Sequence, residues 1–396
     1  MENYKPNNSV KKKANTKLQT SLVCLAISAF FCIFIAATVF IFAVSPDKEQ
    51  SQNENRMLEQ KPDFSFSTFA DGSFMKKFET YFTDQFPGRD SMLSFKTSLS
   101  KLLGSREQNG VYFGKGGFLI EKQTPQNEAQ LETITSAIRE FADVNEDIRT
   151  AFILSPNASS VLESKMPFKL KQENQTDILN SVKGKLDGSG ISWINCAKIF
   201  SDVENKESLF YRTDHHWTTR AAFEAFLALS KTWKLGAKKN DFSFYAVSDS
   251  FSGTLASSAG DRKLKDNIEI CVPKNSAGTY TVFYESQNVR KATLFDSEKL
   301  NQKNQYEVFL GGNFDKVIIS TTCNNKQSLL MFKDSYANCL IPMLTPYFSR
   351  IVIIDPRYFS DSLETVLEET SFTHALFMYN LNTFLSDNSL AGVLDS

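Results

Sequence analysis

The hydrophobic pattern of this chain changes abruptly after a polar start. From Ser21 to Ser45 no position is charged, and nearly all are Leu, Ile, Val, Phe, Ala or Cys. A helix of that length reaches ~35 Å, enough to cross a hydrocarbon core of ~30 Å. A polar linker, Pro46–Asn55, follows, and from Glu54 to about Thr124 the pattern is mixed. Phe74–Phe86 reads as a helix ended by Pro87-Gly88. Val111-Tyr112-Phe113 and Phe118-Leu119-Ile120 flank a Gly-rich turn and predict a hairpin. From about Asn127 short apolar runs alternate with helical spacing. The runs are Thr150–Leu154, Ile191–Ile194, Leu329–Phe332, Ile351–Ile354 and Ala375–Tyr379. Helical stripes appear at Leu131, Ile134, Ile138 and Phe141, and at Ala222, Phe226, Leu229 and Trp233. Leu363–Leu367 is amphipathic, and Leu340–Phe348 is expected to begin a helix despite Pro342. Short continuous strands separated by helices predict an α/β domain with a mostly parallel sheet covered on both faces.

The expected organisation is a tail (1–20), a transmembrane helix (21–45), a linker with the helical and hairpin region (46–125), and an α/β domain (126–396). The stretch about 236–326 is rich in Ser, Lys and Asn and breaks the rhythm. It is expected to be an insertion or flap, part of it lying over the strand ends.

Charge orients the chain. Lys5, Lys11, Lys12, Lys13 and Lys17, opposed only by Glu2, precede the apolar run. Such a cluster stays cytoplasmic, which places the chain after Pro46 outside. Ala43-Val44-Ser45 loosely fits a small-x-small cleavage site, but signal peptides have apolar cores of roughly 7–15 residues, so the anchor is expected to be retained. Without the first twenty residues, 39 basic groups stand against 44 acidic ones, with no basic run, and no nucleic-acid partner is expected. Cys24 and Cys32 lie in the apolar run, while Cys196, Cys271, Cys323 and Cys339 are scattered without CxxC or metal spacing. Buried small hydrophobes are their ordinary role. No cofactor or metal is expected.

Two motifs carry candidate chemistry. Leu329–Phe332 runs into Lys333-Asp334-Ser335-Tyr336-Ala337-Asn338. A serine on a strand-to-helix turn is exposed at the sheet edge, close to free helix N–H groups. The plainer role of Asp334 or Ser335 is a helix cap. The second motif is Tyr211-Arg212-Thr213-Asp214-His215-His216-Trp217-Thr218, which holds two of the three His. Asp214 and His216, two apart in extended chain, share a face, so the carboxylate can hold Nδ1 and leave Nε2 to take a proton. A structural turn and a metal site of Asp214, His215 and His216 are the rivals. Adjacent His point apart in extended chain, which disfavours the metal and turns His215 away. Thr218 is a good N-cap for the helix that follows.

Together these residues resemble the DHHW family, named for the tetrapeptide Asp214–Trp217. The resemblance extends to Glu54-Asn55-Arg56, Val111-Tyr112-Phe113-Gly114, Phe251-Ser252-Gly253-Thr254, Lys333–Ala337 and Ile354-Asp355-Pro356-Arg357-Tyr358. That family is similar to the SGNH-hydrolase-like proteins that O-acetylate alginate in bacterial envelopes. The resemblance implies an SGNH-like (flavodoxin-like) sheet, with Ser335 as nucleophile, His216 as general base and Asp214 as its orienting partner. It implies acyl transfer to a cell-surface polysaccharide, or ester hydrolysis with water as acceptor, and a multi-pass membrane-bound O-acyltransferase as partner. Lys333 departs from the Gly that precedes Asp-Ser in SGNH enzymes, which affects the oxyanion hole. Asn380, after the Ala375–Tyr379 strand, is a candidate oxyanion donor, with a turn as its plainer role. Arg357 is a candidate substrate contact, with a salt bridge as its plainer role. The alternative function is a non-catalytic polysaccharide-binding or scaffold protein that keeps the motifs as remnants.

Overall fold

The computed structural model describes residues 8–51, 56–168, 174–261, 263–274 and 280–396. It divides into two compact units, the change falling between Leu93 and Ser94. In the first unit, α1 (Asn8–Val44) contains the one helix among the described residues, Ser21–Val44, that is long and apolar enough to cross a membrane. The same unit holds α2 (Ser73–Asp84).

The second unit opens with the hairpin β1 (Val111–Phe113) and β2 (Leu119–Glu121), antiparallel across the Lys115–Gly117 turn. The chain then alternates through α3 (Glu128–Val144), β3 (Arg149–Ser155), α4 (Gln175–Leu186), β4 (Ser192–Ile194) and α5 (Thr219–Trp233). Next come β5 (Phe242–Phe251), β6 (Asp266–Pro273), β7 (Tyr280–Tyr284), β8 (Val289–Lys291) and β9 (Lys316–Thr321). Last are β10 (Ser328–Lys333), β11 (Arg350–Ile354), α6 (Leu363–Glu369), β12 (His374–Asn380) and α7 (Leu381–Ser386).

Eight strands form one sheet in the order β8-β7-β9-β11-β10-β12-β3-β4. The five from β11 to β4 are parallel, and β9, β7 and β8 extend the sheet antiparallel. Alternation along the central strands builds two cores. Phe152, Leu330, Phe332, Ala375 and Phe377 face one layer, packed against Ile134 and Ile138 of α3, Val182 of α4 and Val366 of α6. Ala151, Ile153, Leu329, Met331, Leu376 and Met378 face the other, with Ala222, Phe226, Leu229 and Trp233 of α5. Strands buried on both faces need apolar residues at every position, as the sequence has them. Caps start the helices: Thr218, as expected, accepts from Ala221 N (3.4 Å), and Asn127 accepts from Gln130 N (3.3 Å).

Two expectations change. The stretch 236–326 is partly sheet: β7 and β9 pair with each other, and β9 with β11. In β7 the buried Val282 and Tyr284 alternate with the more accessible Thr281 and Phe283, a half-buried pattern that the surrounding polar loops obscure. The stretch Leu340–Phe348 is a single helical turn, Ile341–Leu344, preceded by a 3-10 turn, Ser335–Cys339. Pro342 and Pro346 lack the N–H that a longer helix needs.

Candidate active site

The parallel strands bring their carboxyl ends to one edge, where open α/β sheets gather ligands. Strand β10 ends at Lys333, so Asp334 and Ser335 emerge at that edge. Asp334 caps the Ser335–Cys339 turn: Oδ1 accepts Tyr336 N (2.9 Å), and Oδ2 accepts Asn380 N (2.9 Å) and the Asn380 amide. The Ser335 N–H, first in that turn, donates to no group among the described residues, which leaves one donor beside the hydroxyl. Ser335 itself is half-buried.

The Asp214–Trp217 tetrapeptide is a bent loop closed by a bridge between Phe210 and Trp217. It is tied to the serine turn from both sides: Trp217 Nε1 donates to Tyr336 O (2.8 Å), and Tyr336 OH donates to His215 O. Asp214 Oδ1 meets His216 Nδ1 at 2.5 Å, and His216 Nε2 meets Ser335 Oγ at 2.8 Å. Carboxylate, imidazole and hydroxyl therefore form one continuous chain.

The second oxygen of Asp214 is held by Thr254, through its N–H (2.8 Å) and hydroxyl (3.1 Å). Gly253 lets Thr254 come this close, since a Cβ there would lie 2.3 Å from Asp214 atoms. Burial would raise the Asp214 carboxyl, but the His216 and His215 charges and the His216 hydrogen bonds outweigh it and hold the carboxyl below the usual range. Beneath the loop, Asp266 accepts Thr213 N (2.8 Å) and Arg212 N (3.0 Å). Burial raises the Asp266 carboxyl against those bonds.

His215 does not turn away. The loop is bent rather than extended, so the two imidazoles lie 3.9 Å apart and His215 Nδ1 pairs with Thr254 Oγ1 (2.7 Å). Burial, then the His216 charge, lowers the His215 pKa. Donor atoms of Asp214, His215 and His216 all lie within 4.8 Å of one another, a spacing a metal could use. Against it, both His216 nitrogens and His215 Nδ1 already serve Asp214, Ser335 and Thr254.

Tyr306 completes the surroundings, and no sequence pattern marks it. It sits on a 3-10 turn, Gln305–Val308, between β8 and β9. Its ring stacks on His216 at 3.8 Å and 14°, and its OH donates to Ser335 O (3.2 Å). The other two candidates have different partners. Asn380 donates to Asp334 and to Thr383 Oγ1 (2.6 Å) while its Oδ1 accepts Thr383 N (3.1 Å), so its amide is a cap rather than a free donor. Arg357 closes its fork on Asp355 (2.8 and 2.6 Å), whose Oδ2 also accepts Lys333 Nζ (3.1 Å). Lys333 is fully buried, with Asn313 Oδ1 at 3.0 Å as its other acceptor. Burial lowers its pKa against the pull of Asp355. It lies within an ordinary strand, so replacing Gly before Asp-Ser demands no left-handed backbone here.

A parallel-centred α/β sheet with a Ser–His–Asp chain at its strand ends defines an SGNH-hydrolase-like protein. The comparisons agree. A model described as "SGNH hydrolase-like domain, acetyltransferase AlgX" matches residues 112–310, and a "DHHW protein" model matches 54–152. The chain belongs to this AlgX-type SGNH-hydrolase-like family. The first match ends before Ser335, and the second before Asp214. Among solved structures, a DHHW family protein from Eubacterium siraeum is similar with a TM-score of 0.60 and 20% identity, over 72% of this chain and 95% of that one. Bacillus cereus PatB1, solved with a sulfonyl adduct, has a TM-score of 0.59 and 17% identity, over 69% and 95%. At these identities the likeness establishes the fold. No curated protein matches the sequence.

Proposed function

We propose that this protein is an acyl transferase, most simply an acetyl transferase, that modifies a cell-surface polysaccharide outside the cytoplasmic membrane. The observation that carries the reading is the unbroken chain from Asp214 through His216 to a solvent-accessible Ser335, at 2.5 and 2.8 Å. Ser335 Oγ attacks the acyl carbonyl as His216 Nε2 takes its proton. The tetrahedral adduct collapses, His216 returns the proton to the departing donor group, and an acyl-serine remains. A sugar hydroxyl then attacks that ester, giving its proton to His216, and collapse restores Ser335 with that proton. Water as acceptor makes the same cycle an esterase. Asp214 keeps Nδ1 protonated and steadies the imidazolium. The Ser335 N–H offers one hydrogen bond to the oxyanion.

The lysine-flanked apolar helix supports an anchor with the N-terminus inside. The match to an acetyltransferase-type SGNH-hydrolase-like family supports acetyl transfer, and the reading takes a polysaccharide as acceptor and a multi-pass membrane-bound O-acyltransferase as the source of the acyl group. The test uses a sulfonyl fluoride or fluorophosphonate on the folded full-length protein. Adduct mass on Ser335, lost in His216→Ala, is the expected result. A folded protein that stays unlabelled, and transfers no acetyl from an aryl ester to any of a panel of glycans, overturns the reading.

A further inference from the structure

The first unit carries an apolar aromatic face that the proposed chemistry does not use. Beyond α1, α2 repeats Phe74, Phe78, Tyr81 and Phe82 at helical spacing, with Lys76, Lys77, Glu79 and Thr80 elsewhere on its surface. Its rings form a ladder that begins on the apolar helix itself. Phe42, near the end of α1, packs on Tyr81 (5.6 Å) and Phe82 (4.8 Å). From Tyr81 the contacts pass to Phe78 (6.0 Å), Phe74 (6.0 Å) and Phe64 (5.2 Å), and from there to Phe66 (5.6 Å) and Phe69 (6.0 Å). The far end is bare: Phe64, Phe66 and Phe69 are 58%, 84% and 53% exposed. Tyr81 is buried and gives its hydroxyl to Asp47 (2.9 Å), just past the end of α1.

We propose that the segment from Phe64 to Phe86 lies in the boundary between headgroups and acyl chains of the outer leaflet, as a collar around the emerging helix. Continuity chooses lipid as the occupant. The ladder is a direct extension of a surface that already faces acyl chains if Ser21–Val44 is a retained anchor, and the proposal rests on that reading. An amphipathic helix with aromatic residues on one face and charged residues on the other is the form that settles at this depth. Lys76 and Lys77 are outnumbered by Asp71, Glu79 and Asp84, so apolar burial rather than attraction to anionic lipid drives the contact.

The experiment uses the full-length protein in phosphatidylcholine vesicles with Phe66→Trp, and Phe69→Trp as a second position should the first misfold. The wild type, with Trp193, Trp217 and Trp233, supplies the background. The added fluorescence should be blue-shifted, insensitive to iodide, and reduced by about half or more by lipids brominated high on the acyl chain. Quenching by iodide and not by bromolipid overturns the proposal. Protection from both, with iodide quenching appearing on dilution into excess lipid, also overturns it and assigns the face to a second copy. Recovery of a shortened chain beginning near Pro46 overturns the anchor reading and the collar together. Labelling of Ser335, measured on the same samples, reports separately on the chemistry.

Discussion

Two buried ionic clusters flank Ser335, and they differ in how they end. Asp214 and His216 terminate in a hydroxyl that solvent can reach. Lys333, Asp355 and Arg357 close on themselves: one carboxylate faces two cations, and Asn313 takes what remains of the lysine. Both carboxylates are held below their usual range although burial pushes the other way. The difference lies in the middle member. An imidazole can take a proton and return it, whereas a guanidinium and a paired ammonium keep theirs. On the proposed function, buried charge serves reaction where it ends on an accessible hydroxyl, and anchoring where carboxylate and cations close on one another. The closed cluster ties the end of β10 to the segment just past β11.

The largest expected effects test the open cluster. Ser335→Ala, His216→Ala and Asp214→Asn should each lower acetyl transfer or aryl-ester hydrolysis by ~10³–10⁴-fold, with double variants adding little. Melting temperatures should hardly move in Ser335→Ala, whereas His216→Ala and Asp214→Asn break a buried pair and should melt lower while remaining folded. Full activity in any of these folded variants would dissolve the distinction between the clusters. The closed cluster should respond the opposite way. Asp355→Ala strands two cations and should lower stability by ~3–5 kcal/mol, read from urea midpoints, while the remaining folded protein still labels at Ser335. Lys333→Met leaves the Asp355–Arg357 fork intact and should cost less.

Acid provides a third comparison. His374 is buried against Trp233 and Phe348, and burial, then Arg149, lowers its pKa from 6.5 to about 4. Below 6.5 the unfolded imidazole binds a proton that the folded one refuses, so stability falls as pH drops toward 4. The loss should total roughly 1–3 kcal/mol, and His374→Phe should flatten the slope in thermal melts between those limits. His215, also lowered by burial, adds to the slope in the same direction. Asp214 has the depressed carboxylate's sign: its contribution is present above 3.8 and is lost only as pH falls through its lower folded value. An acid slope that survives in His374→Phe would point to His215 instead. The smallest effect concerns Tyr306. Tyr306→Phe keeps the ring over the imidazolium and should stay near wild type. Tyr306→Ala should lower kcat by roughly 2–5-fold with KM unchanged. A rise in KM with kcat unchanged would instead make Tyr306 a substrate contact.

Much of this was legible in the sequence, for a physical reason. Runs such as Leu329–Phe332 and stripes such as Ala222–Trp233 are fixed by burial, and burial leaves a period in the chain. Asp214, His216 and Ser335 stand out as candidates in the sequence because the His pair lies just before a capped helix and the serine follows a fully apolar strand. His215 breaks the expectation because the spacing of an extended segment turns it away, whereas the bridge from Phe210 to Trp217 bends the loop and brings it beside His216. Tyr306 left no trace: it reaches His216 through a contact across the fold, and one tyrosine among twelve has no local pattern to announce it. Asn380 ends a strand and Arg357 lies just past one, but position alone does not reveal that neighbouring carboxylates already occupy them.

The antiparallel extension of the sheet has a consequence for exchange between relatives. Tyr306 is delivered by the connection between β8 and β9, and β9 pairs residue for residue with β11, from Lys316 opposite Ile354 to Ser320 opposite Arg350. A slip of one residue in that pairing would send every side chain of β9 to the other face. The connection that shapes the site is therefore woven into the scaffold instead of hung upon it. Changes at the tip of this segment can retune the surroundings of Ser335 without disturbing that pairing. A graft, by contrast, has to carry Tyr280 through Ile354 as one inherited block.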